Sequence, residues 1–126
     1  MADNSTYLGH YDKGIKNGLG KFIWSNGSQH MGCWKNNQMN GMGIFESADG
    51  QKYQGQWKSN MMHGYGIMKY SDQQIYTGQF RDDEKSGYGV LAFNDFLYSG
   101  QWKDNLQHGL GIFKNTMNDS VMHGLW

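Results

Sequence analysis

The sequence is dominated by a repeat of about 23 residues that opens with a glycine between two aromatic residues. A clear copy is Tyr53-Gln54-Gly55-Gln56-Trp57, and its central glycine recurs at steps of 23, 23, 23 and 22 residues. A second signature, Gly-x-Gly, begins seven residues after each closing aromatic residue. The opening glycines are Gly9, Gly32, Gly55, Gly78 and Gly100, the pairs begin at Gly18, Gly41, Gly64, Gly87 and Gly109, and a partial sixth opening is Met122-His123-Gly124-Leu125-Trp126.

Both signatures alternate with a period of two, which is the side-chain period of a β-strand. In the opening of unit three, Tyr53, Gly55 and Trp57 therefore share one face. Each unit is predicted to be a β-hairpin, and successive hairpins are predicted to pair side by side. The predicted fold is all-β: an elongated, single-layer antiparallel sheet of stacked hairpins over residues 7–126, preceded by an N-terminal tail of residues 1–6.

The glycines have a structural role in such a sheet. A bulky ring on one strand needs room on its neighbour, and a glycine lets the ring lie over bare backbone. The alternative, a phosphate-binding loop, would need G-x-G-x-x-G before a helix, and no unit completes that pattern. The composition fits strands and tight turns, because 19 of 126 residues are Gly and Pro is absent.

Charge, cysteine content and hydropathy exclude several classes of protein. Lys and Arg total 11 and Asp and Glu total 11, so the formal net charge is +0 and we expect no nucleic-acid partner. The single cysteine excludes an intrachain disulfide framework. No apolar run approaches the ~20 residues of a membrane span, and the start lacks the pattern of a signal peptide. These features predict a soluble protein of the reducing cytoplasm.

The aromatic-x-Gly-x-aromatic opening, the Gly-x-Gly pair and the step of 22 to 24 residues resemble the MORN repeat (membrane occupation and recognition nexus). The resemblance covers residues 7–114 as five units, with the partial sixth at 122–126. His30 departs from the usual aromatic residue in unit two, and Ser86 from the usual histidine in unit four. The resemblance implies a single-layer sheet and a scaffolding role, and the chain is similar in particular to compact axonemal members such as those of radial spokes.

No arrangement for catalysis or metal binding fits the predicted geometry. His63 and His108 are two repeats apart, ~19 Å, whereas all ligands of a metal ion lie within about 2.3 Å of it. Cys33 and His10 are one repeat apart, ~10 Å, which is too far for a nucleophile and its base. The acidic cluster Asp82–Glu84 lacks the spacing of a calcium loop and indicates a solvated turn. We therefore expect no catalytic residue, metal or cofactor.

One face of the predicted sheet has apolar columns that nothing in the chain covers. The residue between the paired glycines points away from the ring-bearing face and is apolar in every unit. An uncovered strip of this kind marks a partner-binding site; the alternative is that sheet twist covers it. The first column is Leu19, Met42, Tyr65, Tyr88 and Leu110, and the second is Ile44, Ile67, Val90 and Ile112.

A basic column follows the closing aromatic residues. Stacked hairpins would place its members at steps of ~10 Å along one edge. Such a ladder can contact acidic lipid headgroups or acidic protein tails. The simpler interpretation is that these charges keep the strand ends soluble. The column is Lys35, Lys58, Arg81 and Lys103.

The partial sixth unit predicts a further docking element. It supplies only the first strand of a hairpin, so its outer N–H and C=O groups are predicted to be unpaired. Val121, Met122, Leu125 and Trp126 leave this edge without charge, which favours pairing with a strand of another protein or of a second copy. The alternative is a frayed tail.

Together these observations favour a non-enzymatic scaffold or adaptor whose partners are other protein subunits of a large assembly. The resemblance points to a cytoskeletal complex, specifically the axoneme of a cilium or flagellum. The alternative is a peripheral membrane module that binds anionic phospholipid through the basic column.

Overall fold

The structure, a computed structural model, describes residues 5–126, which form eleven strands and no helix. Each strand pairs antiparallel with its neighbours in sequence, so the order in the sheet is the order in the chain. This confirms the predicted single-layer sheet of stacked hairpins, which extends ~48 Å at about 4.8 Å per strand. The strands are β1 (Thr6–Asp12), β2 (Ile15–Ile23), β3 (Gln29–Lys35), β4 (Gln38–Glu46), β5 (Lys52–Lys58), β6 (Met61–Lys69), β7 (Ile75–Arg81), β8 (Glu84–Phe93), β9 (Phe96–Lys103), β10 (Leu106–Asn115) and β11 (Val121–Leu125).

Most of the predicted N-terminal tail lies outside the described residues. Residues 1–4 lie outside the described residues, and β1 begins at Thr6, one residue before the predicted start of the repeats.

The two strands of each complete hairpin are joined by a two-residue turn. Ser59 and Asn60 have φ values of 50° and 67°, and Asp82 and Asp83 have 49° and 70°. Positive φ at both positions is the type I′ geometry, whose twist matches that of the flanking strands. Asn and Asp tolerate this region better than most residues. The other turns of this kind are Lys13-Gly14, Asn36-Asn37 and Asp104-Asn105.

The core is one face of the sheet, which we call the ring face. Tyr53, Tyr76 and Tyr98 are fully buried there although the sheet has only one layer. Each ring lies over a glycine of the next strand, and a Cβ on Gly66 would overlap the Tyr53 ring. The Tyr53 hydroxyl donates to the Gln56 carbonyl at 2.8 Å, which satisfies the buried oxygen. The predicted packing of rings over glycine is confirmed.

A column of glycines crosses the whole sheet beneath these rings. Every strand contributes one member, and each is paired directly with the glycines on the adjacent strands. The column therefore provides an unbroken strip of bare backbone at the centre of the ring face. Its members are Gly9, Gly20, Gly32, Gly43, Gly55, Gly66, Gly78, Gly89, Gly100, Gly111 and Gly124.

The rings also contact one another edge to face along the sheet. The Tyr53 ring centroid lies 5.2 Å from that of Trp57 in its own unit and 5.1 Å from that of Phe80 in the next. Tyr76 continues the series to Trp102 at 5.3 Å. Such pairs contribute ~0.5–1.5 kcal/mol beyond burial. The aromatic contacts therefore link each repeat to the next.

A hydrogen-bonded clasp at the hairpin turns is a second link between units. Asn60 Oδ1 accepts a bond from Met39 N at 2.8 Å, and Asn60 N donates to the Met39 carbonyl at 3.1 Å. Asp83 makes the same two bonds with Met62, at 2.8 and 3.0 Å. The Asp83 carboxylate therefore binds backbone, whereas its sequence predicted only a solvated turn. The other clasps join Asn37 to Lys16 and Asn105 to Lys85.

Removing a ring should destabilise the protein far more than removing the charge beside it. Trp57 is 6% exposed and packs against Tyr53, so we expect Trp57→Ala to lower the free energy of unfolding by about 3–5 kcal/mol. Lys58 is exposed, and Lys58→Ala should cost less than about 0.5 kcal/mol. Urea unfolding measures both values, and equal losses would contradict a fold stabilised by ring packing.

Asn60→Gly isolates the clasp, because glycine adopts positive φ readily but has no side-chain acceptor. Met39 N then loses its acceptor, and we expect a loss of about 1–2 kcal/mol in the free energy of unfolding. Asp83→Asn keeps the acceptor oxygen and is the matched control, with an expected change below about 0.5 kcal/mol. If the control loses as much stability as Asn60→Gly, the clasp is not the cause.

Candidate functional site

The face opposite the ring face, which we call the open face, displays the first apolar column. Its members alternate with core residues along the second strand of each hairpin, which directs them away from the rings. No described element lies over them, so sheet twist does not cover the column. Leu19, Met42, Tyr65, Tyr88 and Leu110 are 63%, 56%, 64%, 52% and 76% exposed. In the second column Ile67 and Ile112 are exposed, and Ile44 and Val90 are half-buried.

The basic column lies on the same face, where the first strand of each hairpin ends. All four members are exposed, and each follows a ring-face aromatic residue and precedes a two-residue turn. Among residues 5–126, the one contact of salt-bridge distance joins His63 Nδ1 to Asp82 Oδ1 at 3.8 Å, and it involves none of them. Lys35, Lys58, Arg81 and Lys103 are therefore available to an acidic ligand.

A β-bulge lies between the two columns, and glutamine side chains fill it. Opposite Gln56, strand β6 contains extra residues around Gly64, whose φ is 93°. Gln56 Oε1 accepts a bond from Tyr65 N at 2.8 Å, and Gln79 Oε1 accepts one from Tyr88 N at 2.8 Å. The repeat pattern alone does not predict this role of the glutamines. The sequence feature that could have indicated this role is the recurrence of Gln before the closing aromatic residue in units three to five.

The same glutamines orient hydrogen-bond donors on the open face. Gln79 Nε2 donates to the Tyr65 hydroxyl at 3.0 Å. The hydroxyl proton of Tyr65 has no acceptor among residues 5–126, and neither has the amide NH₂ of Gln56. The open face thus combines exposed apolar groups with donors that no other described group uses.

The second unit packs differently because His30 replaces tyrosine. The fully buried Met39 side chain lies over Gly43 in place of a tyrosine ring, together with the edge of the Trp57 indole. His30 contacts Trp24, whose Nε1–H donates to Nδ1 at 2.9 Å. Beside this pair is a cavity of about 370 Å³ on the ring face, lined by Phe22, Trp24, His30, Trp34, Lys16, Asn37 and Asn60.

Lys85 is a half-buried cation on the ring face. Its Nζ lies 4.9 Å from the centroid of the Tyr70 ring, 5.6 Å from that of Tyr76 and 5.4 Å from that of Trp102. Burial lowers the pKa of its ammonium group, and the three ring faces offset part of that cost through cation–π attraction. Lys85 therefore fills space within the core and is not part of the exposed basic column.

Trp126 has the role of a closing aromatic residue in the partial sixth unit. Its ring centroid lies 5.1 Å from that of Tyr98, edge to face. Its backbone exchanges two hydrogen bonds with Gly109, at 2.7 and 2.8 Å. Trp126 therefore extends the ring face, whereas the sequence predicted it as part of an apolar edge.

The other members of that edge lie on strand β11, which pairs with β10 on one side only. Leu125 is 78% exposed and lies beside Leu110, which continues the apolar column of the open face. Met122 is 65% exposed and pairs with Phe113 on the ring side. The outer edge of β11 pairs with no strand among residues 5–126. Pairing with a strand of another chain stays a prediction.

His63 and Asp82 of the acidic cluster are in contact, whereas His10 and Cys33 lie two strands apart, on β1 and β3. Cys33 is half-buried on the open face opposite Leu19. In the part of the chain that the structure describes, no group of three or more His, Cys, Asp and Glu side chains could hold a metal ion. The same part contains no helix with the length and apolar character of a membrane span.

An open sheet of repeated hairpins, with a core on one face and an apolar column on the other, defines an elongated repeat protein. The family model of the MORN repeat matches residues 7–29, 30–52, 53–75, 76–96 and 98–120. The chain therefore belongs to the MORN repeat family, whose members are in general non-enzymatic and whose repeats are typical of protein-interaction or membrane-binding modules. The likeness to axonemal members stays a prediction.

A solved structure has a fold similar to that of this chain. The chain is similar to the TCP domain of SAS-4 (dCPAP) of Drosophila melanogaster, which was solved in complex with a proline-rich motif of Ana2 (dSTIL). The TM-score is 0.56 and the sequence identity 13%, over 87% of this chain; the match spans 61% of the length of that chain. At this identity the likeness concerns the fold alone. No curated protein matches the chain significantly in sequence.

His30 should make the stability depend on pH. Burial lowers its pKa below the ordinary 6.5, so the folded state retains the neutral ring while the unfolded state takes up the proton first. The contribution present above about pH 6.5 should decrease as the pH falls through the lowered pKa. We expect His30→Phe to flatten the dependence between about pH 7.5 and 5.5 in urea unfolding.

His123→Gln is the control for this experiment, because His123 lies exposed on the edge strand β11. That variant should keep the wild-type dependence on pH. A wild-type stability that is constant over the same range would contradict the role of His30.

Proposed function

We propose that this protein is a non-enzymatic scaffold or adaptor subunit whose open face binds a polypeptide segment of another subunit. The observation that supports this most directly is the first apolar column, which stays more than half exposed through five repeats. Exposed apolar patches of this continuity mark interaction sites. The use of MORN repeats as interaction modules and the peptide bound by the SAS-4 domain support a protein partner.

The two faces of the sheet have different roles in such a module. The ring face forms the core and is linked between repeats by ring contacts and clasps, so the backbone beneath the open face is preorganised. A preorganised surface loses less conformational entropy on binding. Tyr65 and Tyr88 add large contact area with few rotatable bonds, which suits them to an interface.

We propose further that the assembly is cytoskeletal, and specifically the axoneme of a cilium or flagellum, such as a radial spoke. The support is the resemblance to compact axonemal MORN proteins. Pairing of a partner strand with the outer edge of β11 would add a second contact to the same assembly.

Site-specific crosslinking tests the binding face. A photo-reactive phenylalanine analogue at position 65 should crosslink a defined protein from an extract of the source organism, identified by mass spectrometry. Excess wild-type protein should compete, and a Tyr65→Glu/Tyr88→Glu variant should not. The same analogue at Met117, which is 78% exposed but outside the column, is the matched control. Equal crosslinking from both positions, or none from 65, would overturn the proposal.

The exposed basic column favours one alternative, a membrane-binding module. In that case the protein should co-sediment with vesicles that contain phosphatidylserine, binding should weaken with salt, and Lys58→Glu/Arg81→Glu should abolish it. The scaffold proposal predicts no such binding.

A further inference from the structure

The open face repeats with nearly the same step as a polyproline II helix. Equivalent residues on successive hairpins are two strands apart, about 9.6 Å. A polyproline II helix advances 3.1 Å per residue, so its turn of three residues is about 9.3 Å long. The two-residue repeat of a β-strand is about 6.6 Å and the pitch of an α-helix about 5.4 Å, and neither matches. A polyproline II segment across the strands would therefore place every third residue on a new repeat.

Two depressions on the open face agree with this spacing. One has a volume of about 330 Å³ and is lined by Met31, Met42 and Ile44; the other has about 350 Å³ and is lined by Tyr88 and Leu110, among others. The first is centred on β4 and the second on β9 and β10, so they lie five to six strands, or about 24–29 Å, apart. Nine residues of a polyproline II helix span about 28 Å. A single segment of about eight or nine residues, close to three turns, can thus reach both depressions.

The donors of the open face suit the backbone of such a ligand. A polyproline II helix has no internal hydrogen bonds, so its carbonyl groups remain free to accept. The Tyr65 hydroxyl and the Gln56 amide present donors without acceptors among the described residues, and the exposed ring of Tyr88 lies on the same face one repeat further on. Proline-rich segments dock on aromatic surfaces of this type.

The basic column determines which charge a ligand of the open face should carry. It places one cation per repeat beside the apolar column, at Lys35, Lys58, Arg81 and Lys103. A ligand with the same three-residue period would match it with one acidic residue per turn. Apolar and acidic positions would then both recur at every third residue.

We propose that the partner segment is a polyproline II helix that lies across the strands, with an apolar residue at every third position and acidic residues on the side of the basic column. This inference rests on the proposed function, because it specifies the ligand of the same open face. Its carrying observation is the agreement between the hairpin step, the two depressions and the cation spacing.

Peptides of defined period test the register. The probe is a fluorescein-labelled 15-residue peptide of five Leu-Pro-Glu repeats, and the control is a permuted peptide of identical composition whose leucines have no three-residue period. In fluorescence anisotropy at low salt, the periodic peptide should bind at least about tenfold more tightly than the permuted one.

Surface variants of the protein assign the contact. Tyr65→Ala/Tyr88→Ala and Lys58→Glu/Arg81→Glu should each weaken binding of the periodic peptide at least about tenfold. Lys69→Glu/Lys114→Glu is the matched control, because these lysines are exposed but lie outside the basic column. Far-ultraviolet circular dichroism should show the same folded spectrum for every variant.

The outcomes separate this inference from the proposed function. If both peptides bind equally well, or if neither binds while the crosslinker at position 65 still captures a specific protein, the polyproline II register is wrong and the scaffold function stands. If the crosslinker captures nothing specific either, both fail. Binding of the periodic peptide that the Tyr65→Ala/Tyr88→Ala variant leaves unchanged would also overturn the inference.

Discussion

The packing of tyrosine rings on bare glycine backbone is the interaction on which the rest of the structure depends. A single-layer sheet has no second layer to bury its side chains, yet Tyr53, Tyr76 and Tyr98 are fully buried. This is possible because a glycine column crosses all eleven strands and lets each ring lie flat. A Cβ at Gly66 would lift the Tyr53 ring and separate it from Phe80 in the next unit. The glycine-to-glycine register of the hairpins and the edge-to-face contacts belong to this arrangement.

Much of the fold was predictable because the repeat displays it five times. Alternation with period two fixes which residues share a face, so Trp57 and Lys58 could be assigned to opposite sides from sequence alone. The clasps were not predictable in the same way. Asn60 and Met39 are 21 residues apart, and only the twist between adjacent hairpins decides whether the amide meets backbone or water. An Asn that only forms a turn and an Asn that also bonds to the preceding hairpin have the same local sequence.

The second unit shows a different limit of sequence reasoning. The departure at His30 was visible, but the sequence did not show which side chains would lie over Gly43. Met39 and the edge of the Trp57 indole lie there, and His30 accepts a hydrogen bond from Trp24. The glutamine in the bulge is a similar case, because Gln56 finds its partner only after the extra residues of β6 leave Tyr65 N unpaired. Such outcomes depend on tertiary geometry that a repeat pattern does not encode.

The clasps have a direction, and this has a consequence for biosynthesis. In every case the turn residue belongs to the later unit and binds backbone of the earlier one, as Asn60 does with Met39 and Asp83 with Met62. Translation at ~5–20 residues per second delivers one repeat of this length every few seconds. Each hairpin can therefore form its last hydrogen bonds only after the next hairpin has been synthesised. The clasp hydrogen bonds are therefore completed one repeat behind synthesis, from the amino end onward.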